Sequence, residues 1–503
     1  MFRKYWLFIV LSLNIVFEFL AYYLGFFKVV YAWFWVAQIL LGFAFVCAWV
    51  VKSCARDKKL IPVSLGILSL LILCGNLRIS DLSYEALIQL ASGLNLWKLP
   101  DLGITGKSFL GYPNKQYLLV SIPSLLFGRT IFNAQFGYAL FFVIGLLVSY
   151  IALVRYTSSS RTGLIYVLWC LSFKYYSEYY LYFEQSLLPI ALMFFGLGFY
   201  LNWLRSNKKR WLYLLYLLLD LMVFSYTPSL ASVVLFVGFL ILVKPSKSCI
   251  FVSFCACVSL ILYVLTSKGS DSLNISSNIV DESIRYFESI TSNTEFFGIM
   301  YSVIVIYLIL GICNKLGFMN YLVSYWCIAV IIASNLLKGY THYGLDKLLV
   351  QRAMLVLCVI ALMICLKLQR LFDWTPSSYI AIVAILFIIV AAHNFSKPSY
   401  AFDYYNIQYP IKYIYQDMED RGIDVACLIT DNSVWFNTPD YTNYFDTILL
   451  QYDSCSYLGD FEGIVYSDSQ IKLRALGEEI YKLEVNDFRR DTVVWYYCVL
   501  GNN

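Results

Sequence analysis

The chain has 503 residues, 60% of them hydrophobic and 14% charged, with a net charge of +5 and a mean hydropathy of +0.69. Soluble domains carry about a quarter charged residues, so a water-soluble enzyme or binding module is excluded. Apolar runs of about twenty residues recur, the length a helix needs to cross a ~30 Å hydrocarbon core, and the chain reads as a polytopic α-helical membrane protein.

About thirteen membrane-spanning helices are expected from length and apolarity. They run over 5–25, 29–51, 60–76, 130–154, 162–177, 181–204, 211–226, 229–244, 249–266, 297–313, 318–337, 348–367 and 378–393. The first lies in MFRKYWLFIVLSLNIVFEFLAYYLGFF, which has a basic flank and no small-residue cleavage site after it, so it reads as a retained helix. Pro228, in SYTPSL, is expected to separate the seventh helix from the eighth. Basic residues cluster at Arg3 and Lys4, in KSCARDKK (52–59), at Arg155 and Arg161, and in RSNKKR (205–210). Further groups stand at Lys244 and Lys247, at Lys315, and at Lys367 and Arg370. With thirteen helices all of these fall on one side. The positive-inside rule makes that side cytoplasmic, with the N-terminus inside and the C-terminus outside, and a bacterial inner (plasma) membrane is the expected location.

Three polar segments then share the outer face: 77–129, 267–296 and the tail from 396, with KGYTHYGLDK (338–347) as a short link. Long loops on a rigid scaffold are where reactive groups are expected. From Tyr400 onward the tail has 17 acids against 7 bases. YPIKYIYQDMEDRGID reads as an amphipathic helix stopped at Gly422, VACLIT, TILLQY, GIVYS and TVVWYYCVL read as strands, and 454–484 carries weaker helical patterns. A small extracytoplasmic α/β domain over 396–503 is expected, beside a transmembrane domain over 1–395. The tail lacks a Gly-rich phosphate loop, and its acidity argues against a nucleic-acid partner.

Of 14 cysteines, Cys47, Cys74, Cys170, Cys255 and Cys257 sit in apolar runs and read as small buried hydrophobes. Cys427, Cys455 and Cys498 lie in the tail, where one disulfide is open among them. The histidines, His342 and His393, are too few for a zinc site. Many of the 43 tyrosines flank the helices, as in KYYSEYYLYF, which fits interfacial anchoring. Asn14, Glu18 and Asp220 fall inside apolar runs; a buried acid is costly there, and Glu18 and Asp220 are expected to pair inside the bundle.

The most informative stretch is DLSYEALIQLASGL (81–94), where Leu82, Ala86 and Leu90 share one helical face and Asp81 and Glu85 stand four residues apart. Such a helix would lie on the membrane surface. Asp81 can be its N-cap, or a base at the mouth of a lipid-facing cavity. With LPD at 99–101, GYPNKQY at 111–117 and Gly93 ending the surface helix, the loop resembles the first outer loop of GT-C membrane glycosyltransferases. That superfamily includes the protein O-mannosyltransferases and the lipid A aminoarabinose transferases. Leu82 stands where an adjacent acid pair is common, Pro113 is alone where two prolines are common, and the loop follows the third helix instead of the first. SEYYLYFEQSLLPIALMFFGLGFYLNWL, with Glu178 and Glu184, and DKLLVQRAMLVLCVIAL, with Arg352, resemble further parts of that family.

The resemblance implies transfer of a sugar from a polyprenyl-phosphate donor to an acceptor hydroxyl on the outer face, with inversion. It implies Asp81 as the catalytic base. Arg352, with Lys338 or His342, would hold the departing phosphate, although Arg352 can equally snorkel to the interface. Tyr84, Glu85, Asp101 and Glu184 are implied substrate-binding residues, Glu85 or Asp101 tuning Asp81 or meeting sugar hydroxyls. No cofactor beyond the lipid-linked donor is implied. A divalent metal is left open, since acids are present but no Asp-x-Asp occurs in 77–129. The expected partners are the polyprenyl-phosphate sugar, a glycan, lipid or protein acceptor, and membrane lipids. The rival readings are a lipid-linked oligosaccharide polymerase or ligase, for which loop 267–296 offers Arg285 alone, and a non-catalytic transporter or assembly protein.

Overall fold

A computed structural model of the chain describes residues 2–22, 24, 28–76, 131–172, 187–224, 229–266, 362, 365–366, 376–395, 414, 417–418, 420–429, 448–451, 463–467, 469–474, 476, 479–485 and 493–500. The long helices are α1 (Phe2–Tyr22), α2 (Lys28–Arg56), α3 (Ile61–Asn76), α4 (Ile131–Thr157) and α5 (Ser160–Ser172). They continue with α6 (Leu187–Ser206), α7 (Lys209–Val223), α8 (Ser229–Leu242), α9 (Lys247–Thr266) and α10 (Pro376–Phe395). Each overlaps an apolar run expected to cross the membrane. The expected helices over 297–313 and 318–337 lie outside the described residues, as does most of 348–367.

Short polar links turn the chain between helices. Asn207, between α6 and α7, takes a left-handed conformation (φ 51°) that asparagine tolerates, and its N–H donates to the Trp203 carbonyl at 2.8 Å. Ser159 caps α5 by accepting from the Thr162 N–H (3.3 Å), and Ser246 caps α9 by accepting from the Cys249 N–H (3.2 Å). Each serine satisfies a donor that the first helical turn leaves unpaired.

The basic groups of these links meet at one end of the bundle. Arg155, in the last turn of α4, donates to the Ser53 hydroxyl of α2 (2.8 Å) and lies 5.8 Å from the Trp49 ring centre. Arg210 of α7 lies over Phe45 and Trp211, at 5.0 and 5.9 Å, and Lys209 over Phe8 of α1 at 5.5 Å. Lys244 donates to Asn207 Oδ1 at 2.8 Å and faces the Trp203 ring. Arg161 of α5 lies 5.4 Å from the ring of Tyr379, near the start of α10. Each cation thus rests its stem on apolar surface and keeps its head at the end of the helices.

The most extensive helix pair is α4 with α6. A Cβ added at Gly145 would come 2.8 Å from the Ala191 carbonyl oxygen, and one at Gly198 would come 2.6 Å from Val148 Cγ1 and 3.1 Å from the Val148 carbonyl carbon. The two backbones therefore touch, as they do where small residues line a membrane helix interface. Of the membrane cysteines, Cys170 and Cys255 are buried, whereas Cys257 is exposed on the surface of α9, which corrects the expectation for that residue. Its neighbour two positions back faces the core, and a step of two on a helix turns the side chain to the opposite side.

The tail carries a five-stranded sheet of order β2-β1-β3-β5-β4, formed by β1 (Val425–Ile429), β2 (Ile448–Gln451), β3 (Gly463–Ser467), β4 (Ile480–Val485) and β5 (Val493–Leu500). β1 pairs in parallel with β2 and β3, while β5 is antiparallel to β3 and β4. Four of these strands were expected. Ile480–Val485 lies in the stretch read as weakly helical, but its alternation of Tyr481, Leu483 and Val485 with Lys482 and Glu484 suits a strand pairing β5 at the sheet edge. The helical part of that stretch is α11 (Gln470–Arg474), whose Leu473 packs against Cys427, Val465 and Cys498. Gly422 stops the preceding helical segment at φ +66°, and the Ile423 N–H returns to the Met418 carbonyl at 2.8 Å, the closing bond of a Schellman motif. Cys427 is disulfide-bonded, and Cys498 is buried beside it in the sheet core.

Gly145→Ala is expected to cost about 1–3 kcal/mol, since two backbones must separate. Gly66→Ala on α3, with open space around it, should be neutral or stabilise by up to ~1 kcal/mol. Thermal unfolding of the purified chain in detergent checks the order; equal midpoints for the two variants would contradict the close α4–α6 contact.

Candidate functional site

The directions of the helices define a second end of the bundle. α3, α5, α7 and α9 run away from the basic links, and α4, α6 and α8 run toward them. Asn76, Ile131, Ser172, Leu187, Val223, Ser229 and Thr266 accordingly terminate their helices at the end remote from Arg155 and Arg210. The chain leaves this end at residue 76 toward Asp81, and enters it at residue 187, three positions after Glu184. The α4–α6 pair holds both attachment points, since α4 begins where the 77–130 segment ends and α6 begins just after Glu184.

The side chains of Asp81, Tyr84, Glu85, Asp101, Glu184, Lys338, His342 and Arg352 all lie outside the described residues. The same holds for Glu178 and Pro113. What the described residues supply is the scaffold, together with polar groups that sequence reasoning placed only loosely.

Glu18 and Asp220 are both buried, near the remote ends of α1 and α7. Glu18 Oε2 accepts from the Ser259 hydroxyl of α9 (2.8 Å), and Asp220 Oδ2 accepts from the Trp35 indole N–H of α2 (2.6 Å). The bundle thus meets each acid with a neutral donor on another helix. Asn14 and Gln38 exchange two amide hydrogen bonds, at 3.1 and 2.9 Å, and the Tyr213 hydroxyl donates to Gln38 Oε1. These bonds tie α1 and α2 to each other and to α7 and α9. Interhelical hydrogen bonds of this kind contribute about 0.6 kcal/mol each on average inside a bilayer. None of the partners Trp35, Ser259 and Tyr213 carries a local sequence signal, because each is far along the chain from the group it meets.

In the tail, Asp417 accepts from Arg421 Nε (2.9 Å) and from the Tyr466 hydroxyl (2.6 Å), while Arg421 also donates to the Tyr497 hydroxyl at 2.8 Å. Burial, and then the bond to Asp417, push the Tyr466 hydroxyl well above the ordinary tyrosine range. Tyr466, Tyr497 and Tyr481 stand in register across β3, β5 and β4. This network fastens the helical segment before β1 to the sheet. Among the described residues no three His, Cys, Asp or Glu side chains group as metal ligands would.

No family model and no curated protein matches the chain. Its structure is similar to the crystal structure of ArnT from Cupriavidus metallidurans bound to undecaprenyl phosphate, with a TM-score of 0.50 at 13% identity over 88% of this chain and 98% of that one. Superposed on ArnT from the same organism in the apo state, the chain gives a TM-score of 0.49 at 14% identity over 90% and 98% of the two chains. With its helical bundle and C-terminal sheet, the chain has a fold similar to that of ArnT.

Proposed function

We propose that the chain is a membrane glycosyltransferase that moves a sugar from a polyprenyl-phosphate donor to an acceptor hydroxyl at the outer face. The observation that carries this reading is the overlap of nearly all of ArnT, a protein crystallised with undecaprenyl phosphate, with a chain whose α3 ends, five residues before Asp81, at the end of the bundle opposite its cations. Residues 1–395 form the transferase unit in this reading, and 396–503 form an extracytoplasmic domain. Cell-envelope glycan or glycoprotein modification is the setting this chemistry suits.

The basic end is the cytoplasmic one by the positive-inside rule. Cys427 supports that orientation, because disulfides persist in oxidising compartments and are rare in the cytosol. An outward tail and an outward 77–130 segment follow together.

Asp81 takes the proton of the acceptor hydroxyl, whose oxygen then attacks the anomeric carbon. The bond from that carbon to the phosphate oxygen breaks, and polyprenyl phosphate leaves with the electron pair. Attack opposite the leaving group inverts the anomeric centre. Arg352, with Lys338 or His342, stabilises the phosphate as its charge develops. Tyr84, Glu85, Asp101 and Glu184 hold sugar hydroxyls or tune Asp81. The donor itself carries the activated sugar, so the reaction needs no nucleotide.

Asp81→Asn should lower kcat by roughly 10²–10⁴-fold while donor binding stays within a factor of two or so, the signature of a lost general base. Transfer from a purified polyprenyl-phosphate sugar, followed by mass spectrometry of the acceptor, measures it; undiminished transfer by the variant removes Asp81 from the chemistry. Orientation is checked separately. In intact spheroplasts, external protease should remove the tail. A protected tail would reverse the proposed topology.

A further inference from the structure

The sheet of the tail ends on one side at β4, which pairs with β5 along its whole length and has no described strand beyond it. Alternate residues of β4 therefore turn their N–H and C=O groups away from β5, an edge able to take another strand. Its side chains alternate between the two faces of the sheet. Tyr481 and Leu483 stand on the face of Tyr466, Trp495 and Tyr497, and Lys482 and Glu484 stand on the other. Tyr481 is 42% exposed. The Lys482 and Glu484 side chains, ion-paired with each other, are 50% and 52% exposed.

The two faces have different neighbours. Leu428, Tyr466 and Trp495 are buried on the first face, and with Ile414 and Met418 they belong to the same apolar cluster as the core of the helical bundle. On the second face Cys427, Val465 and Cys498 pack with Leu473 of α11 in a separate cluster. The first face is thus the one turned toward the bundle.

We propose that β4 is the docking edge for a second copy of this chain, the two β4 strands pairing antiparallel about a two-fold axis at Leu483. Charge selects this register. With Leu483 opposite the partner's Leu483, Lys482 falls opposite the partner's Glu484 and Glu484 opposite the partner's Lys482, so the four charges alternate in sign. Centring the pair one residue either way opposes Lys482 or Glu484 to its own copy, and like charges directly opposite are destabilising. A lysine on an edge strand ordinarily discourages pairing; the glutamate two positions on lets one register escape that repulsion. Directly opposed residues of an antiparallel pair share a face, so the axis is perpendicular to the sheet. Rotation about it keeps the bundle-facing sides of both sheets together, and the two bundles can stand in one membrane. The interface is isologous, and it lengthens the sheet by strand addition.

The test uses the full chain, in membranes and purified in detergent. Leu483→Cys should form an interchain disulfide under mild oxidation, with wild type as the baseline, because opposed residues lie about 4.5–5.5 Å apart between Cα atoms. Lys482→Cys should not, since its copy is displaced two residues along the strand. Sedimentation of the purified wild type should show a monomer–dimer equilibrium. Lys482→Glu and Glu484→Lys, at exposed positions that do not threaten folding, should each raise the dissociation constant roughly tenfold or more, since two attractions become two repulsions. These two reversals change net charge in opposite directions, so a shared loss cannot come from overall charge. Mixing the two single variants should restore dimers, because each chain then meets unlike charges on the other. A wild type that stays monomeric, no added crosslink through Leu483→Cys, a crosslink through Lys482→Cys alone, or dimerisation unaffected by either reversal would each overturn the proposal.

Discussion

The backbone contact between α4 and α6 at Gly145 and Gly198 is the constraint on which the rest of the bundle depends. In a bilayer, lipid tails are as apolar as leucine, so helices gain little by hiding from solvent and must be organised by close packing and a few hydrogen bonds. Two glycines facing an alanine carbonyl and a valine backbone let this pair approach within van der Waals contact. α3 and α5 pack on α4, and α7 and α8 pack on α6. The helix ends that deliver residues 77–130 and Glu184 are therefore fixed relative to each other by a rigid pair. The segments that leave the bundle at that end therefore start from fixed positions.

Polar bonds then place the α1–α2 hairpin. The amide pair of Asn14 and Gln38 joins the two helices, while Asp220 to Trp35 and Ser259 to Glu18 dock them on α7 and α9. A carboxylate in hydrocarbon is costly unless it is satisfied, so each acid specifies where its donor helix can sit. Between these polar points, Phe43 packs on Phe141 of α4, and Phe45 and Trp49 pack on Trp211 of α7, so that aromatic contacts seat the rest of α2.

Much of this was legible from residue order because membrane physics acts locally. Twenty apolar residues and a flanking lysine or arginine define a helix and its polarity without reference to distant partners, and the contacts among Arg155, Arg161, Arg210 and Lys244 bring those links to one end. The central role of α4 and α6 was not legible, since glycine is common in membrane helices and Gly145 looks no different from Gly66 until a partner is known. Nor was the pairing of Asp220 with Trp35, 185 positions apart. In the tail, strands rich in valine and aromatics announced themselves, whereas β4 carries Lys482 and Glu484 on one side and is defined by its register with β5. Asp81 and Arg352 were singled out by resemblance to a family, because an acid after an apolar run is by itself an ordinary helix cap.

The charge distribution connects the two ends of the molecule. The described links at the basic end carry cations stacked on aromatic rings, whereas Glu18 and Asp220 lie toward the remote end of their helices. Arg155 to Ser53 holds α2 to α4 at the basic end, while Asp220 to Trp35 holds it to α7 nearer the other. A helix pinned at both ends gives the segments that leave the remote end a fixed frame to start from.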